Sequence, residues 1–141
     1  MEKNNTGKII VIEGTDCSGK ATQSKLIEKK LKKNGKKCIS LSFPCYDTPT
    51  GKIVGGPYLG KPEICDSYFE DSVTLNPKIA SLYYAADRLY NIDNVMKYVN
   101  DGYYVILDRY VTSNLAHQGC KIKDKDERFY MYQWIDKLEY W

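Results

Sequence analysis

The run Gly14-Thr15-Asp16-Cys17-Ser18-Gly19-Lys20 constrains this chain more than any other stretch, because it demands a strand before it and a helix after it. Its glycines free backbone N–H groups to converge on an anion at a helix N-terminus, and Lys20 adds a compact positive charge. Both flanks comply. Ile9-Ile10-Val11-Ile12 is a short β-branched run, apolar on both faces, which predicts a central strand of a parallel sheet. After Lys20, the residues Leu26, Ile27 and Leu31 recur at helical spacing, opposite lysines and Glu28, until Asn34-Gly35 closes the helix. The stretch therefore reads as a phosphate-binding loop built from Gly14, Thr15, Asp16, Cys17, Ser18, Gly19 and Lys20, with Ala21 and Thr22 opening the helix. One letter departs from the pattern. Ala21 stands where a Ser or Thr hydroxyl would ligand Mg²⁺, and Thr22 lies one place further on.

A length of 141 residues fits a single domain, 1–141, and 43% hydrophobic content is enough to fill a core. The net charge of +3 is small. The cluster Lys29, Lys30, Lys32, Lys33, Lys36 and Lys37 reads as a solvated face that also suits a helix C-terminus; with no aromatic residues interleaved, it does not predict nucleic-acid binding. Five scattered cysteines without a Cys-x-x-Cys pair, beside a single histidine, argue against both a disulfide framework and a zinc site. The polar start, residues 1–8, and the lack of any long apolar run predict neither a signal peptide nor a membrane span, and so a cytoplasmic protein.

Strand and helix patterns alternate along the chain. Lys37 to Phe43 predicts a second strand ending at Pro44, and a loop-rich stretch, 45–62, follows with a short helix near Lys52 to Leu59. Asn76-Pro77 resembles an N-cap followed by proline at the first helical position, opening a long helix to about Tyr98 that Asn100-Asp101-Gly102 ends. Tyr103 to Leu107 is a third strand, and it runs directly into Asp108-Arg109-Tyr110. Helices are predicted over Val111 to Gly119 and from Asp124 to the end, with Phe129, Tyr132 and Ile135 on one apolar face. Such alternation means an α/β fold with a parallel sheet, flanking helices and right-handed crossovers, whose ligands bind beyond the carboxyl ends of the strands. Each strand ends in something chemically marked.

Phosphoryl transfer needs positioning and positive charge rather than a covalent partner from the protein. Lys20 and the loop amides suit a donor triphosphate, Arg109 can clamp an acceptor phosphate, and Asp16 and Asp108 are carboxylates suited to Mg²⁺. Each has a plainer alternative: Asp108 as a helix cap, Arg109 as an ion-pair partner, and Tyr84 as core beside Leu82, Tyr83 and Leu89.

Four motifs, in order and spacing, resemble thymidylate kinases: Glu13-Gly14-Thr15-Asp16, Phe43-Pro44-x-Tyr46, Ala85-Ala86-Asp87-Arg88, and Asp108 through Gln118. The resemblance implies a P-loop NTPase fold of the nucleoside monophosphate kinase type and transfer of the ATP γ-phosphoryl group to dTMP with Mg²⁺. It assigns Lys20 to the transferring phosphates, Asp16 to the acceptor 3′-hydroxyl and the metal, and Arg109 to the dTMP phosphate. Tyr84 corresponds to the ring that stacks on thymine, and Arg88, four residues on, to the donor that bonds the base; Asn114 resembles a polar base contact. Phe43, Tyr46, Ser113 and Gln118 fall on the substrate side, and His117 sits where many members carry a tyrosine that disfavours a ribose. A homodimer through helices, the long one included, is also implied.

Two further departures accompany Ala21. Cys45 stands where an arginine usually follows Phe-Pro, and family members continue past Trp141 with more strands and a lid over ATP. The expectation is therefore a fragment whose first strand has an open edge. The phosphate loop carries no arginine, so a transition-state arginine is expected from the lid, and its loss costs on the order of 10³–10⁵ in rate. A kinase for another nucleotide or deoxynucleoside, and a non-catalytic nucleotide-binding module, are the competing readings.

Overall fold

A computed structural model of the chain describes residues 7–140. The N-terminal residues 1–6 and the final residue, which belong to the predicted polar start and to the end of the last helix, lie outside the described residues. Backbone contacts divide the chain into two compact units, one of residues 1–43 and 91–110, the other of residues 44–90 and 111–141.

The first unit holds the sheet. Strands β1 (Lys8–Ile12), β2 (Cys38–Ser42) and β3 (Tyr104–Asp108) run parallel in the order β1-β3-β2. Helix α1 (Lys20–Lys33) connects the first two. The central strand is thus β3, whose Val105, Ile106 and Leu107 are at most 1% exposed, and not β1 as its composition predicted. Among the described residues β1 pairs only with β3, and its Ile9 and Val11 remain 40% and 42% exposed. An apolar run on both faces marks a strand fit for burial, and says nothing about how many neighbours it has. Along α1, Ile27 and Leu31 are half-buried as expected, but Leu26 is 55% exposed and Ser24 is the buried residue. Lys30, Lys32 and Lys33 crowd the last turn of α1, where their charge complements the helix dipole, and Lys32 also pairs with Glu28.

The second unit is helical. Helix α2 (Pro49–Ile53) passes into a π-helical turn, Val54–Tyr58. It begins three residues earlier than predicted because Thr48 caps it, accepting a hydrogen bond from the Gly51 amide, with Pro49 at the first helical position. Val54, Tyr58 and Ala80 form the core here, with Leu59, Phe69, Leu75, Tyr83 and Tyr84 packed around them. Helix α3 (Pro77–Asn100) belongs to this unit up to Tyr90 and to the first unit from Asn91.

Helices α4 (Val111–Gly119) and α5 (Lys125–Glu139) complete the second unit. They approach closely at Gly119, where a Cβ would stand 2.3 Å from the Tyr132 ring. Asp124 caps α5, accepting from the amides of Asp126 and Glu127. The buried stripe of α5 is Met131 and Ile135, whereas Phe129 is 58% exposed. Three-residue steps each fall about 60° short of a full turn, so Phe129 drifts out of a face centred on Ile135, while a four-residue step from Met131 overshoots only slightly.

Candidate functional site

In the first unit the strand register aligns the carboxyl ends of the three strands. Ile12, Asp108 and Ser42 sit side by side at the carboxyl ends of β1, β3 and β2. The ladder continues one step further: the Arg109 amide donates to the Ile12 carbonyl at 3.0 Å, and the Phe43 amide to the Asp108 carbonyl at 3.0 Å. Glu13 ties the loops that follow, its carboxylate accepting from the Tyr110 amide at 2.9 Å, and the Phe43 and Tyr110 rings meet edge to face at 5.7 Å. All three marked strand ends therefore leave the sheet at one edge, as the alternating pattern requires.

The loop predicted to bind phosphate leaves that edge from β1. Gly19 precedes α1 at φ +90°, a left-handed conformation that glycine adopts without steric cost. Thr15, Asp16, Cys17 and Ser18 are exposed, as are Ala21 and Thr22 on the first turn of α1. The Lys20 ammonium folds back on the loop and donates to the Thr15 carbonyl at 2.7 Å. Across the edge, the Arg109 guanidinium pairs with the Asp16 carboxylate at 2.5 Å. Cys17 and Arg109 are the two non-glycine residues at positive φ among the described residues, +60° and +69°. Such conformations persist only where the surroundings impose them, and here both fall among the predicted site residues.

In the second unit Asp87, 1% exposed, organises the loop after β2. Its carboxylate accepts from the Cys45 amide at 2.8 Å and from the Thr50 hydroxyl at 2.9 Å. Burial, reinforced by Asp87 and Asp47, pushes the Cys45 thiol up to about 11. Tyr46 is half-buried, with the Lys61 ammonium 4.6 Å from its ring centroid. Three residues before Asp87 on α3, Tyr84 meets Tyr58 edge to face at 5.7 Å. Burial raises the Tyr58 hydroxyl above its ordinary range, while hydrogen bonds from Gln118 and Tyr84 pull the other way.

Arg88 is 5% exposed and lies against Glu139 at the end of α5. Its Nε donates to Glu139 Oε2 at 2.6 Å and its Nη2 to Oε1, a bidentate pair. Asn114, 3% exposed on α4, donates from Nδ2 to the same Oε1 at 3.0 Å. Gln118 is buried one turn further along α4, Ser113 is half-buried, and His117 is on the exposed side.

Thus Lys20, Asp16, Arg109, Asp108 and Phe43 gather in one unit, and Tyr84, Arg88, Asn114 and Gln118 gather in the other through Tyr58 and Glu139. Glu13 and Asp87, which the sequence marked only as members of motifs, and Glu139, which it did not mark, carry much of this geometry. Glu139 did leave a signal: it is four residues past Ile135, so the stripe Met131, Ile135, Glu139 ends in a carboxylate on the buried face of α5.

Among the described residues no three or more His, Cys, Asp or Glu side chains are grouped to hold a metal, and no helix is long and apolar enough to cross a membrane. A buried oxygen of Asp108, Oδ1, accepts no hydrogen bond among the described residues. One such carboxylate oxygen suits an ion that keeps most of its waters and takes its other ligands from phosphates.

The family model for thymidylate kinase matches residues 12–131. The chain is 36% identical over 121 residues to a thymidylate kinase of Schizosaccharomyces pombe, covering 86% of this chain and 52% of that one. It is 37% identical over 114 residues to a thymidylate kinase of Caldicellulosiruptor saccharolyticus, covering 80% and 50%. A solved thymidylate kinase from Candida albicans, described as having broad substrate specificity, superposes with a TM-score of 0.70 at 30% identity, over 94% of this chain and 56% of that one. The chain spans about half the length of the relatives it matches. With the family model covering most of its residues, the chain belongs to the thymidylate kinase family.

Proposed function

We propose that this chain is the nucleotide-binding part of a dTMP kinase, a P-loop nucleoside monophosphate kinase domain acting in the cytoplasm on ATP and dTMP. The observation that carries the reading is the Arg109–Asp16 pair, which sets an acceptor-type guanidinium against the donor's phosphate loop at one sheet edge. In the reaction a phosphate oxygen of dTMP attacks the γ-phosphorus of ATP, the bond to the β–γ bridging oxygen breaks, and ADP and dTDP leave. The acceptor is already ionised, so no general base is required and His117 needs no proton-transfer role.

Each group then has a defined task. Lys20 exchanges the Thr15 carbonyl for phosphate oxygens, aided by the amides from Gly14 to Thr22. Arg109 exchanges Asp16 for the dTMP phosphate, which leaves Asp16 for the sugar hydroxyl. Tyr84 supplies the stacking face, and Arg88 and Asn114 address the base edge, with Phe43, Tyr46, Ser113, His117 and Gln118 as the remaining substrate-side residues. Asp108 and Asp16 are the carboxylates that would hold Mg²⁺, which, when bound, neutralises charge developing on the phosphates; Ala21 contributes no ligand.

The same reading includes a homodimer through α3, where Leu82 and Leu89, one heptad apart, are 49% and 76% exposed. Nucleic acid and membrane have no place in it. The test is the conversion of ATP to ADP with and without dTMP. The expected result is dTDP accumulating in step with ADP, lost in Lys20→Ala; ATP hydrolysis indifferent to dTMP would instead favour a nucleotide-binding module without an acceptor.

A further inference from the structure

Glu139 lies outside the motifs that carry the family resemblance, yet it touches both groups assigned to the base. Its carboxylate is almost fully enclosed, with the side chain 3% exposed, and it accepts from Arg88 through two nitrogens and from Asn114 through Nδ2. A carboxylate in this setting only accepts. It therefore fixes the plane of the Arg88 guanidinium, and it fixes which end of the Asn114 amide is which: the NH₂ must face Glu139, so Oδ1 must face away. That Oδ1 is buried and accepts no hydrogen bond among the described residues. A buried acceptor left in that state costs free energy unless a ligand donor completes it.

We propose that Glu139 is a positioning residue that sets the hydrogen-bond polarity of the base pocket, making it a donor–acceptor pair that selects thymine over cytosine. The proposal rests on the dTMP kinase reading above. Thymine presents an acceptor at O4 and a donor at N3–H, which match an Arg88 donor and an Asn114 acceptor. Cytosine presents the reverse, a donor at N4 and an acceptor at N3, and meets a donor against a donor and an acceptor against an acceptor. Shape barely separates the two bases; polarity does, and rejection by unpaired buried groups is the strong form of discrimination.

The test compares the full chain with Glu139→Gln and Glu139→Asp by calorimetric titration with dTMP and dCMP, folding being checked by circular dichroism. Gln at 139 can donate as well as accept, so it releases Asn114 to turn over; the preference for dTMP over dCMP is expected to fall by about tenfold or more. Asp keeps an acceptor-only carboxylate one methylene short, so it should weaken dTMP binding while retaining the preference. A Gln variant that melts earlier but keeps the unaltered ratio would reduce Glu139 to a structural ion-pair partner and overturn the proposal. If the Gln variant does not fold, the Asp variant decides: unchanged dTMP affinity overturns the proposal. Equal binding of dTMP and dCMP by the unsubstituted chain would overturn both this proposal and the thymidylate reading beneath it.

Discussion

Arg88, proposed above to contact the base, also bears on stability through its pair with Glu139. A bidentate pair this deeply buried is weak evidence of net stabilisation, but removing one member leaves the other as an uncompensated buried charge. Arg88→Met should therefore lower unfolding free energy by about 3–5 kcal/mol, read as the shift in urea midpoint at constant slope. Cys45 gives a pH-dependent counterpart. Its folded-state thiol titrates near 11 because burial disfavours the thiolate, whereas an unfolded cysteine titrates near about 8.5. The folded state then holds a proton that the unfolded state releases, so stability is fully present below about pH 8.5 and declines as pH rises toward 11. Tyr58 acts in the same direction. Urea midpoints measured from pH 8 to 10.5 should fall less steeply for Cys45→Ala than for the unsubstituted chain. At this scale the resemblance marked Arg88 and Asn114 as expected base contacts, but a carboxylate from a helix starting at Lys125 could not be assigned to them from the sequence without tertiary packing. Asp87 lay within a recognised motif, and still only the structure connects it to the Cys45 amide.

At the scale of elements, local chemistry was legible wherever a backbone rule is strict. Pro77 opens α3 as Asn76-Pro77 predicted, and Gly19 takes positive φ ahead of α1; the opening of α2 at Pro49 was not read, that helix being expected from about Lys52. Faces were less legible. On α1 and α5 apolar residues occur on more than one side, and which of them is buried depends on what packs there, as Leu26 and Phe129 show. The register of α5 can be tested directly. Ile135→Ala should cost about 2–5 kcal/mol, whereas Phe129→Ala should change stability by no more than about 0.5 kcal/mol. Equal losses at the two positions would restore the three-residue face. Gly119→Ala should loosen α4 against α5, since its methyl group would overlap the Tyr132 ring, and the Trp134 fluorescence of α5 should report the change.

For the whole molecule, the sheet order explains what sequence periodicity could not. An apolar strand reads alike at the centre and at an edge, and it is the pairing of β3 with both β1 and β2 that assigns the middle. The gathering of three strand ends was nevertheless foreseeable, because parallel strands joined by helices must all point the same way. The exposed Leu82 and Leu89 belong to this scale as well: Leu89→Glu should shift the proposed homodimer to monomer in sedimentation equilibrium while leaving the circular dichroism spectrum unchanged. The central claim, that this chain carries a thymidylate pocket, is tested most directly by calorimetric titration of the folded chain with dTMP against UMP. Saturable binding of dTMP well ahead of UMP, weakened by Arg109→Ala, is the predicted result. A folded chain that binds neither nucleotide, or both alike, would contradict the assignment of Tyr84, Arg88, Arg109 and Asn114.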